Sequence, residues 1–172
     1  EMIQMENTKF FDLRHGWANR YYWFDVIENV DPSTLPFEEM IKKSKFTFSK
    51  QSGTTPTDIH GSTLAIDFYS ERFINFLKKI GIRNFSAYKL KFVPEMNKIG
   101  DYYYLELKDK LKAKKTMRHS YVADVTFYLK DWKGQGIFTI EGTRIAVVTE
   151  KLKRLIEKEK LKNAKFEEIK PA

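Results

Sequence analysis

The chain has 172 residues, 42% of them hydrophobic and 15% aromatic, enough for a packed core and too apolar for a disordered chain. It contains no cysteine, which excludes disulfide frameworks, thiolate metal sites and cysteine nucleophiles. The net charge of +8 is unevenly spread: residues 1–60 hold 7 basic and 9 acidic side chains, and residues 61–172 hold 24 and 14, a net of +10.

The opening segment EMIQMENTKFF has no basic region followed by an apolar run, so it does not read as a signal peptide. Arg20 to Ile27 is rich in aromatic and β-branched residues and predicts a strand. Asp31-Pro32-Ser33 and Leu35-Pro36 punctuate the chain after it. Phe37 to Lys43 then suits a short helix, Lys45 to Phe48 a short strand, and Lys50 to Thr57 a loop. Leu64 to Tyr69 predicts a strand that runs into a helix at Ser70. The Ser70 hydroxyl can accept from a free amide of the first turn, and Glu71 complements the helix dipole. Phe73, Phe76, Leu77 and Ile80 follow the i, i+3, i+4, i+7 rule of an apolar stripe, and Gly81 suits a left-handed stop. Ala87 to Val93 alternates as a strand does, and Asp101 to Leu107 reads as another.

Lys108 to Arg118 carries six cations and one anion, and predicts an exposed hairpin or loop. Its charges either meet solvent alone or form an electrostatic contact surface. Ser120 to Leu129 reads as a strand and Lys133-Gly134-Gln135-Gly136 as a turn. Arg144 to Val148 predicts a strand, Thr149 caps a second helix, and Glu150 occupies its first turn.

These elements contain an internal repeat. Residues 65–90 and 144–169 align without a gap. Ser70-Glu71-Arg72 lies on Thr149-Glu150-Lys151, and Phe73, Phe76 and Leu77 lie on Leu152, Leu155 and Ile156. Ile82 matches Leu161, Asn84 matches Asn163 and Leu90 matches Ile169. Each copy is a strand, a capped amphipathic helix, a short link and another strand. No linker divides the chain. The expectation is therefore an α+β fold: a single domain over residues 1–172, with a mixed, mostly antiparallel sheet and two similar strand–helix–strand units.

Catalytic signatures are missing. There is no phosphate loop, no dinucleotide-binding glycine pattern, no HExxH and no GxSxG. Asp58 and His60 would share one face of a strand, but a metal needs a third ligand and none is nominated nearby. The sequence therefore predicts no catalytic residue, no metal and no cofactor. No apolar run approaches the ~18 residues of a membrane helix, so no membrane partner is expected. What remains is recognition. Most of the aromatics are expected in the core, with a few left as anchors, because Trp and Tyr concentrate binding energy at interfaces. Trp17, Tyr103 and Trp132, with Lys114 and Lys115, are the candidate partner-binding residues, chosen by aromatic and charge density. The alternative is a nucleic-acid-binding domain that uses the basic surface of residues 61–172, although Lys supplies 24 of the 31 cations and reads bases poorly.

The strand, the Ser/Thr-Glu-Arg/Lys cap and the amphipathic helix at Leu64–Leu90 and Asp131–Ile169 resemble the bacterial immunity proteins of polymorphic toxin systems. The likeness is to the families called immunity protein 43 and immunity protein 11. In these families the unit occurs twice, the second copy after an aspartate–aromatic segment, here Asp131-Trp132. The resemblance implies an α+β protein, encoded beside a toxin, that binds this cognate toxin in the cytoplasm of the producing cell. Immunity proteins against nucleases are often acidic mimics of nucleic acid. A basic chain would instead suit a toxin with an acidic face.

Overall fold

Both hydroxyls predicted at the strand–helix junctions cap their helices. In the computed structural model, which describes residues 8–16, 21, 23–28, 36–48, 53, 55–119 and 121–172, the Ser70 Oγ accepts from the Phe73 N–H and the Thr149 Oγ1 from the Leu152 N–H. The strands are β1 (Phe10–His15), β2 (Phe24–Glu28), β3 (Lys45–Phe48), β4 (Ile59–His60), β5 (Phe68–Ser70), β6 (Phe85–Lys89), β7 (Lys91–Phe92), β8 (Tyr102–Leu107), β9 (Lys110–Leu111), β10 (Ala113–Arg118), β11 (Tyr121–Phe127), β12 (Ile137–Ile140), β13 (Ala146–Thr149) and β14 (Ala164–Ile169). The helices are α1 (Phe37–Lys43), α2 (Glu71–Lys79) and α3 (Glu150–Lys158). The fold is α+β, with mixed and mostly antiparallel sheets.

The chain gathers into two compact units. The first comprises His15–Glu106 and Leu161–Ala164. Its larger sheet has the order β4-β5-β8-β6, with β5 antiparallel to β4 and β8. Helix α2 buries Phe73, Phe76 and Leu77 of the expected stripe together with Ile74, while Ile80, past the helix end, is only half-buried. A second sheet, β2-β3-β7, shares a core with α1 in which Phe24, Met40, Ile41, Phe46, Phe68, Leu90 and Tyr102 are buried. The alternating run expected from Ala87 to Val93 breaks at Leu90. This residue is buried, and its N–H donates to the Tyr102 carbonyl at 2.8 Å.

The second unit comprises Glu1–Arg14, Leu107–Lys160 and Lys165–Ala172. Its sheet runs β14-β1-β13-β12-β9, with β1 and β12 antiparallel to β13 and β9 parallel to β12. Leu152 and Ile156 of α3 are buried. Phe10, Phe127, Trp132 and Phe138 meet edge to face, at centroid distances between 4.9 and 6.1 Å, in the core of this unit. The basic run expected as an exposed hairpin or loop divides. Lys110 and Leu111 join the sheet through β12, whereas Ala113–Arg118 pairs with β11 in a separate two-stranded ribbon.

The repeat extends beyond the aligned residues. Equivalent positions of the aligned segments differ by 79 (144 − 65), and the hydrogen bonds that close the two helices obey that offset. The helix ends match: Ile80 N–H to Phe76 O and Gly81 N–H to Lys78 O correspond to Glu159 N–H to Leu155 O and Lys160 N–H to Glu157 O. Gly81 and Lys160 both have positive φ, +89° and +56°. On one side, Ser70 N–H to Asp58 O corresponds to Thr149 N–H to Gly136 O, the two acceptors differing by 78 (136 − 58), one residue fewer than the helices. On the other, Ser70 pairs with Tyr102 as Thr149 pairs with Phe10, and Glu71 N–H to Asp101 O corresponds to Glu150 N–H to Lys9 O. The order β4-β5-β8-β6 is thus reproduced as β12-β13-β1-β14. In each copy a third strand lies between the two strands that flank the helix, a split β-α-β arrangement. That third strand follows the first copy in sequence as β8. In the second copy it is β1, from the opposite end of the chain.

Candidate interaction surface

The five candidate contact residues have separate fates. Lys114 and Lys115 are exposed neighbours on β10. Tyr103 is half-buried on β8, where burial first, then the Glu71 and Asp101 carboxylates, pushes its phenol pKa up. Trp132, expected as a surface anchor, is a core residue with 7% exposure. The 3-10 turn Leu129–Asp131 aims its ring at Phe10, 5.1 Å away, and its Nε1–H donates to the Gln135 carbonyl at 2.9 Å. Trp17 lies outside the described residues.

Lys114 and Lys115 belong to the ribbon β10–β11. Its register pairs Ala113 with Phe127, Lys115 with Val125, and Met117 with Val122. Directly opposed residues of an antiparallel pair share a face, and faces alternate along each strand. At the base of the ribbon Phe127 is fully buried, while Ala113 and Val125 pack partly buried against the same core. A register shift falls between Thr116 and Met117: Thr116 pairs with Asp124 but Met117 with Val122, leaving Ala123 as the extra residue of a bulge. Beyond it Met117 is 57% exposed and Val122 45%. Lys115 is exposed on their side of β10, and Lys114 and Arg118 are exposed on its other side. Along the sequence 113–127 three Lys/Arg stand against the single acid Asp124, a net of +2 (3 − 1). The Asp124 Oδ1 is engaged by the Val125 N–H at 2.8 Å.

The ionisable groups of the first unit are organised differently. Asp58 is buried, and its carboxylate accepts from the Ser70 hydroxyl at 2.6 Å, the Lys162 N–H at 2.6 Å and the Arg72 guanidinium at 3.1 Å. His60 is fully buried between the rings of Phe24 and Tyr102, each 5.1 Å away, and its Nε2 accepts from the Thr57 N–H at 2.9 Å. The pairing considered from their spacing therefore dissolves: Asp58 precedes β4 and serves the helix cap, while His60 serves the core. His15 meets Asp67 twice, Nδ1 to Oδ1 at 2.6 Å and N–H to Oδ2 at 2.9 Å. The Trp23 ring lies 5.3 Å from the imidazole, and Gly61 leaves the room for both, since a Cβ there would come within 2.3 Å of Trp23. Fifty-two positions separate His15 from Asp67, and no local pattern announces the pair. Such a pair orients an imidazole, but proton transfer also needs a reacting group beside it. Among the described residues no three His, Asp or Glu side chains converge as metal ligands, and no helix is long and apolar enough to cross a membrane.

No family model matches the chain, and no curated protein matches it.

Proposed function

We propose that the chain is an immunity-type protein that acts by binding: it holds a partner toxin protein in the producing cell's cytoplasm and neutralises it without catalysis. The observation that carries this reading is the β10–β11 ribbon, where the cross-strand pair Met117–Val122 is exposed at the end of a strand that also carries Lys114, Lys115 and Arg118. An exposed apolar pair on a basic strand is costly in water and useful at an interface. The buried ionisable groups support the same reading. Asp58 and His60 are bonded into the backbone and core of their unit, which is what a scaffold requires. The duplicated strand–helix–strand units and their Ser70 and Thr149 caps are the features that resemble toxin-immunity proteins.

The test is to co-express the full chain with the product of the adjacent gene. The expected result is that this product arrests growth alone, is tolerated with the chain present, and co-purifies with it. A product that is neither toxic nor bound ends the proposal. The exposed Lys114, Lys115 and Arg118 favour a second reading, nucleic-acid binding. That reading predicts binding to a mixed oligonucleotide at low salt which falls steeply as salt rises, because counterions are released.

A further inference from the structure

We propose that the distal part of the β10–β11 ribbon is the docking surface, and that it takes the face of an acidic protein in which apolar side chains are rimmed by carboxylates. The proposal deepens the reading above, and rests on it only for the identity of the partner.

One apolar face of the ribbon is continuous from the core outward. Ala113–Phe127 lies in the core, Lys115–Val125 at its margin, and Met117–Val122 beyond it. Along β10 alternation puts Ala113, Lys115 and Met117 on one side of the ribbon, and on β11 the extra residue Ala123 restores the phase, so that Val122 falls on the side of Val125 and Phe127. The side that seals the core of the second unit therefore continues into solvent. No other strand flanks the outer edge of β10 among the described residues. A partner seated there extends an existing apolar surface.

Charge selects the partner. Lys115 lies in the apolar strip, while Lys114 and Arg118, exposed on the other side of the same strand, add to a local field of the same sign. A second copy of this chain, at +8, is repelled. A nucleic acid satisfies the cations but gives Met117 and Val122 nothing to bury against, and these aliphatic side chains offer bases no ring to stack on. An acidic protein face satisfies both features, the carboxylates speeding encounter and the apolar contact slowing release.

The experiment has two arms on the full-length chain. In the first, the purified product of the adjacent gene is titrated by calorimetry against the wild type, Met117→Glu with Val122→Glu, and Lys114→Glu with Lys115→Glu. The apolar variant should bind roughly 100-fold more weakly. The charge-reversed variant should associate about tenfold more slowly at low salt, with a flatter salt dependence. Thermal unfolding of both should match the wild type, because all four positions are exposed. In the second arm, p-benzoylphenylalanine replaces Met117 in producing cells. An adduct with the adjacent-gene product supports both the surface and the immunity reading. An adduct with a different acidic protein, which binds the wild type in purified form and loses the apolar variant, supports the surface and ends the immunity reading. Wild-type affinity in both variants, or an adduct only with nucleic acid or with another copy of this chain, overturns the docking surface. If the adjacent product still binds in that case, the immunity reading stands without it.

Discussion

The two copies of the split β-α-β unit make the same backbone hydrogen bonds with different side chains. In the first, the residue beside the cap is Asp58, whose carboxylate gathers the Ser70 hydroxyl, the Lys162 N–H and Arg72. In the second, the equivalent residue is Gly136, which offers its carbonyl to the Thr149 N–H and has no side chain to add. In the first, strand β8 follows the unit it completes; in the second, β1 arrives from the start of the chain. The backbone pattern and the cap hydroxyl therefore define the unit. The polar hub and the origin of the closing strand are free to vary around it.

The strongest way to break that comparison is to remove the closing strand where it is not contiguous. Deleting residues 1–13 removes Phe10 and Leu13, both essentially buried, and each worth about 3 kcal/mol or more when truncated in a core. It also strips β13 and β14 of the strand between them. Hydrogen exchange should then show β13 and β14 unprotected while β4, β5 and β8 keep their protection. A peptide spanning residues 8–14, added in trans, should restore it. Equal loss of protection in both sheets would show that β1 does not serve the second copy in particular.

Much of this fold is legible in sequence because it rests on local rules. The helix at Phe37–Lys43 and the strand at Lys45–Phe48 form where composition put them. The hydroxyls Ser70 and Thr149 cap because free first-turn amides need an acceptor wherever a helix begins. Strands β1 and β12 were not foreseen. Phe10–His15 mixes Asp12 and Arg14 with its apolar residues, and only pairing with β13, some 140 positions away (149 − 10 = 139), makes it a central strand. Ile137–Ile140 is too short and too apolar to distinguish a strand from a helical segment by periodicity. At the candidate surface, charge density identified Lys114 and Lys115. Met117 and Val122 were missed because a bulge sets their cross-strand register, and a bulge leaves no mark in composition. Trp132 was misplaced for the opposite reason: a loop position says nothing about which way the ring turns.

A gentler cut separates the two caps. Asp58→Ala leaves the Lys162 N–H and the Ser70 hydroxyl without their acceptor in a buried site, and should cost about 3 kcal/mol. The half-exposed Arg72 adds little to that figure. Ser70→Ala removes a cap and a donor to the buried carboxylate, so roughly 2 kcal/mol is expected. Thr149→Ala removes only a cap, at 3.4 Å, and should cost about 1 kcal/mol. Chemical denaturation of the three variants tests the ranking. Equal costs for Ser70→Ala and Thr149→Ala would mean that the Asp58 hub contributes nothing to the first copy.

The smallest expected effect is also the most direct check of equivalence, because its sign reverses between the copies. Gly81 and Lys160 close the two helices with the same hydrogen bond and the same left-handed backbone. A left-handed conformation costs a residue with a side chain roughly 1–2 kcal/mol, and glycine almost nothing. At Gly81 a Cβ would meet no atom within 4 Å, so the cost of Gly81→Ala is backbone strain alone, about 1 kcal/mol. Lys160 already bears that strain. Lys160→Gly relieves it but adds freedom to the unfolded chain, leaving a net stabilisation of about 0.5 kcal/mol. Urea unfolding at constant slope should therefore move the midpoint down for Gly81→Ala and up for Lys160→Gly. A downward shift for both would mean that the two helix ends share a φ sign without sharing a structural role.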